Sequence, residues 1–164
     1  MVDKKAQGKK NREKGAAFEL KVRKDLEKKG WIVDKWSNNV EFTKTNSVET
    51  YGMVYENKFI YGKLIPAKRK FNPFKKVMSI GTGFPDYLCF QEVPVNLAPQ
   101  DYKKVYEVIG VEAKSNGYLD PKERMRCHWL LNSRIFSKIL IAKKGEKRGQ
   151  IIYEDFNQKK GGVK

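Results

Sequence analysis

Cysteine, histidine and acidic residues are scarce in this 164-residue chain: two cysteines, one histidine, and 19 Asp+Glu against 35 Lys+Arg. Cys89 and Cys127 form no CxxC pair, which excludes a disulfide framework and a cysteine-based zinc site and fits a reducing, cytoplasmic setting. The lone His128 has no histidine partner for a metal site and, mid-helix beside Trp129, is expected to pack. Long apolar runs are also missing: none approaches the roughly 18–20 residues that cross a bilayer. Residues 1–14 are polar, without a signal-peptide stretch, so neither a membrane nor a secreted protein is expected. What remains is the composition of one globular domain, 40% hydrophobic and 33% charged.

The net charge of +16 calls for a polyanionic partner, and its distribution says more. Residues 1–30, 31–80 and 121–164 carry net charges of +6, +5 and +8, but residues 81–120 carry −3. Gripping phosphates gives no use for an acidic island in a basic chain. A metal site does.

Residues 1–9 resemble a flexible basic arm, and residues 158–164 a disordered Lys-Gly tail. From Lys10 to Lys29, Phe18, Val22 and Leu26 recur every fourth residue and predict an amphipathic helix stopped by Gly30. Residues 31–36 predict a strand, and residues 40–80 an insertion of a hairpin or two and a basic loop. Residues 81–85 form a turn into a short buried strand over 86–90, and residues 104–114 give a longer strand. Asp120, Pro121 and Glu123 have the spacing of a helix start, with the helix running to near Arg134. Strands over 135–142 and 151–156 follow. The expected fold class is α/β, a small mixed sheet flanked by helices, with residues 10–157 as one domain.

Glu112 and Lys114, two apart on a strand, share a face while Val111 and Ala113 point to the other. Alone, such a pair is common on solvent-facing strands. Asp86 opens the preceding strand, and pairing of the two strands would bring it close to Glu112. As a single residue Asp86 also suits a turn. Two carboxylates at that separation repel each other, and a divalent cation between them relieves the repulsion. Mg²⁺ is expected, being bound by one or two carboxylates together with substrate phosphate.

Phe84-Pro85-Asp86 followed by Val111-Glu112-Ala113-Lys114 resembles the PD-(D/E)xK nuclease superfamily, whose α-β-β-β-α-β core, restriction-endonuclease-like, matches the order above. Lys14-Gly15-Ala16-Ala17-Phe18-Glu19-Leu20 is similar to archaeal Holliday junction resolvases, and the resemblance implies that Glu19 completes a metal site with Asp86, Glu112 and the Ala113 carbonyl. It also implies that Ser37 lies near the scissile phosphate and that Lys114 positions or activates water. Glu19 equally suits an i,i+4 pair with Arg23, worth roughly 0.3–0.5 kcal/mol. Gly83-Phe84-Pro85-Asp86 and Leu119-Asp120-Pro121-Lys122-Glu123 resemble the VRR-NUC module, with Asp120 and Glu123 in place of that family's Ser and Gln. Glu123 is then either a further acid near the metal or part of a capping box.

The basic groups Lys9, Lys10, Arg12 and Lys14, then Lys68, Arg69 and Lys70, then Lys75 and Lys76, with Phe71 and Phe74 interleaved, are candidate nucleic-acid contacts. The expected function is a Mg²⁺-dependent endodeoxyribonuclease, with Mn²⁺ as substitute, acting on branched DNA as a homodimer. The alternatives are a repair-type nuclease on flap, nicked or single-stranded DNA, and a DNA- or RNA-binding protein that does not cut.

Overall fold

The computed structural model describes residues 4–68, 70–72, 76–79, 83–94 and 104–157. In chain order the elements are α1 (Lys4–Lys28), β1 (Ile32–Lys35), β2 (Asn38–Thr43), β3 (Tyr51–Tyr55), β4 (Lys58–Pro66), β5 (Lys70–Asn72), β6 (Val77–Ser79), β7 (Tyr87–Val93), β8 (Val105–Ala113), α2 (Pro121–Asn132), β9 (Lys138–Lys144) and β10 (Ile151–Asp155). Five of the strands form the central mixed sheet in the order β1-β7-β8-β9-β10. Only β8 and β9 run parallel, because α2 carries the chain across between them; the other pairs are antiparallel.

The two faces of this sheet are covered by different helices. On one, Phe18, Val22 and Leu26 of α1 meet Tyr87, Cys89, Ile109, Val111 and Ala142. On the other, Cys127, Trp129 and Leu130 of α2 meet Phe136, Ile139 and Ile141. Burial on both faces explains the apolar runs within β8 and β9, Val108 to Val111 and Ile139 to Ala142. The two cysteines lie in opposite layers as free thiols, and burial pushes Cys89 up to about 12, far from reactivity.

Helix α1 begins at Lys4, so the expected basic arm is helical from that residue, and only residues 1–3 of it fall outside the described residues. Residues 9–17 are all exposed; apolar packing starts at Phe18. At the other end, Gly30 adopts φ +86 and the Trp31 N–H returns to the Leu26 carbonyl at 3.1 Å, which closes the helix. Helix α2 ends at Asn132, two residues before the expected Arg134. Arg134 sits at φ +55, and the turn through Ile135 and buried Phe136 delays β9 to Lys138. The expected tail, residues 158–164, lies outside the described residues.

The insertion contains two hairpins, β3–β4 and β5–β6, within the expected hairpin or two, and β2 adds a third strand to the first. β2, β4 and β3 form a separate antiparallel sheet, and β5 and β6 a two-stranded one. Glu56 and Asn57, with φ of 47 and 60, make the two-residue turn between β3 and β4 that matches strand twist. Trp129 holds this sheet to α2: its indole is fully buried and Nε1 donates to the Tyr51 carbonyl at 2.9 Å. The indole lies against Gly62, where a Cβ would stand 2.6 Å from Nε1 and 2.8 Å from Cε2. Gly62→Ala should therefore destabilise the protein by about 1–3 kcal/mol. Urea unfolding of the variant tests this, and an unchanged midpoint would show that the indole yields.

Candidate active site

Asp86 is delivered by the loop between the insertion and β7. A Cβ on Gly83 would lie 2.2 Å from the Trp36 carbonyl oxygen and 2.7 Å from that of Asn38, so only glycine lets the backbones pass. The Phe84 N–H donates to the Asn38 carbonyl at 2.9 Å, and the Trp36 N–H to the Asp86 carbonyl at 3.2 Å. The loop is thus stitched at Phe84 and Asp86 to the start of β2 and to the connection between β1 and β2.

The β7–β8 ladder pairs Tyr87 with Val111, and its next step sets Asp86 opposite Glu112. Two hydrogen bonds cross there. The Asp86 N–H donates to Glu112 Oε2 at 3.0 Å, and the Ala113 N–H donates to Asp86 Oδ2 at 3.0 Å. Each carboxylate is fixed by the other strand's backbone. Glu112 is the buried charged residue of the core, 5% exposed. Burial first, then repulsion from Asp86, push it up to about 8 against the pull of Lys114. Burial and the charge of Glu19 also raise Asp86, opposed by the Ala113 N–H.

Lys114, one residue beyond the end of β8, lies on the same side as Glu112, as the alternation predicts, and contacts Glu112 Oε1 at 3.1 Å and Glu123 Oε1 at 2.6 Å. Burial opposes its charge, but the two carboxylates outweigh it and hold the ammonium above the ordinary lysine range. Glu123 forms the capping box and also pairs with Lys114. Its Oε2 accepts from the Asp120 N–H at 3.0 Å while the Asp120 side chain accepts from the Glu123 N–H at 2.8 Å, a capping box at the start of α2. The remaining oxygen reaches across to the lysine.

Glu19 does not pair with Arg23, which binds Glu27 at 2.8 Å instead. It meets Lys35 on β1 at 2.6 Å, and its backbone carbonyl accepts from the Tyr87 hydroxyl at 2.9 Å. Lys35 and Tyr87 are the contacts that sequence reasoning missed. They face each other across the β1–β7 ladder, and Lys35 Nζ sits 4.5 Å from the Tyr87 ring centre. Register, which no local motif encodes, brings them together.

Exposed Ser37 follows Trp36, one residue beyond the backbone contact with Asp86. Lys9, Lys10, Arg12 and Lys14 are exposed on the first half of α1, and Lys68 and Lys76 are exposed around the inserted hairpin. Arg69 and Lys75 lie outside the described residues, as does the side chain of Lys70. His128 packs as expected, its ring centre 5.2 Å from Tyr55 and 4.8 Å from Phe156.

Among the described residues, no group of three or more His, Cys, Asp or Glu side chains is gathered as a metal-binding set. Asp86 and Glu112 are the pair whose oxygens and mutual repulsion suit a hard divalent cation, and Glu19 acts on Asp86 through its charge while held by Lys35. Comparison with family models, curated proteins and solved structures finds no match.

Because the folded state favours the protonated form of Glu112, that contribution to stability is whole below about 4.5 and is lost as pH rises through about 8. In metal-free solution Glu112→Gln should melt several degrees above the wild type at about pH 9, and close to it at about pH 5. Thermal unfolding at the two pH values measures this. An offset of equal size at both would contradict a buried, repelled carboxylate.

Proposed function

We propose that the protein is a Mg²⁺-dependent endodeoxyribonuclease of the PD-(D/E)xK type. The observation that carries this reading is the crossed pair of hydrogen bonds between Asp86 and the Glu112-Ala113 segment, with Lys114 on the same face. A structural ion pair needs one acid and one base. Here two acids are forced together in a buried place, and burial and mutual repulsion raise both against the pull of Lys114 and, at Asp86, of Lys35, an arrangement that costs stability unless a cation joins it.

Asp86 and Glu112 are the residues that would hold the metal, with Glu19 and the Ala113 carbonyl assisting. Bound Mg²⁺ supplies Lewis-acid stabilisation of the phosphate and lowers the pKa of a coordinated water. Lys114, kept as an ammonium by Glu112 and Glu123, orients the attacking water and offsets phosphate charge rather than removing a proton. The exposed cations of α1 bind the DNA backbone without reading bases. Branched DNA is the proposed substrate, cut by a homodimer that places two sites on paired strands.

Cleavage of four-way junction, flap, duplex and single-stranded DNA, with and without Mg²⁺ or Mn²⁺, tests the reading. Asp86→Ala and Glu112→Ala should each lower the rate at least about a hundredfold, with salt-sensitive DNA binding largely kept. Equal cutting by wild type and variants would place the chemistry elsewhere.

A further inference from the structure

The inserted sheet does more than lengthen the chain. Between its β2 and β4 strands and α2 lies an open groove of about 560 Å³, within the range of small-ligand sites. Phe42, Ile65 and Met125 give it an apolar lining, and Lys68, Lys122 and Arg126 supply three cations. Glu41 also lines the groove, but Lys63 stands 4.0 Å from its carboxylate and offsets it. Among the described residues none of the three cations makes an ion pair. The Arg126 Nε is buried and finds no acceptor there either.

The groove adjoins the acids. Lys122 precedes Glu123, the partner of Lys114, and the Arg126 guanidinium lies 5.7 Å from the ring centre of Phe84, two residues before Asp86. Neither carboxylate lines the groove, but two of its cations lie beside the segments that carry Glu123 and Asp86. Cations alone would serve any polyanion. Cations beside an aromatic ring and a thioether, in a space about the size of one nucleotide, serve a strand whose base faces are free. A paired base hides its faces in the stack.

We propose that this groove receives an unpaired DNA strand leading away from the cleavage site, with Lys68, Lys122 and Arg126 on its phosphates and a base against Phe42 and Met125. The inference rests on the nuclease reading for the choice of DNA, and it adds that the substrate has a single-stranded arm at the junction of insertion and α2.

The test is binding in EDTA, which removes cleavage from the measurement. Fluorescence anisotropy compares a labelled single-stranded oligonucleotide with the blunt duplex of the same sequence. Lys68→Glu combined with Lys122→Glu should weaken single-strand binding about tenfold or more, reduce its salt dependence by a slope of about 1–2, and change duplex binding less than about twofold. Phe42→Ala should weaken the single strand about fivefold or more with its salt slope unchanged, since stacking carries no counterions. Retained duplex binding certifies the fold of each variant. Equal loss on both ligands, or no loss on either, overturns the groove. Should the wild type cut no DNA with Mg²⁺ while the single-strand preference depends on these residues, the nuclease reading fails and the strand site stands.

Discussion

Two acids held where both cannot easily be charged are the constraint around which this protein is built. Asp86 and Glu112 arrive from neighbouring antiparallel strands, and each is fixed by an N–H from the other strand. Neither can swing away without giving up a hydrogen bond in a poorly solvated place. Everything nearby answers that conflict: Lys114 leans on Glu112, Glu123 leans on Lys114, and Lys35 holds Glu19 on the far side of Asp86. The apolar layers above and below the sheet make the arrangement rigid, with Val111 packed under α1 and Ile141 under α2.

The insertion belongs to this same region rather than to a remote lobe. Trp129 fastens it through the Tyr51 carbonyl, and the loop that leaves it passes Trp36 and Asn38 at Gly83 before reaching Asp86. The strand that starts the central sheet, the inserted sheet and the metal-ligand candidate are therefore linked by backbone contacts.

Much of this was legible in the chain. The four-residue spacing of Phe18, Val22 and Leu26 marks α1, and Asp120-Pro121 with Glu123 marks the start of α2, because both signals are local. The shared face of Glu112 and Lys114 follows from strand alternation. What could not be read depends on register and on contacts distant in sequence. The Lys35–Glu19 pair needs β1 beside β7 and α1 across them. The three-stranded sheet was hidden because β2 pairs with β4 past β3, and Val40 and Met53 are buried in the core cluster of α2 rather than against one another alone. The length of α1 was underestimated because its first half has no apolar stripe to announce it.

The capping box at α2 has a consequence for how this sequence can change over time. Asp120 is exposed, and at most helix starts serine, threonine or asparagine would serve as well. Here the residue it caps reciprocally, Glu123, spends its other oxygen on Lys114. Glutamine at position 123 would keep the capping box but remove the charge that meets Lys114, so drift that is neutral for the helix is not neutral for the lysine.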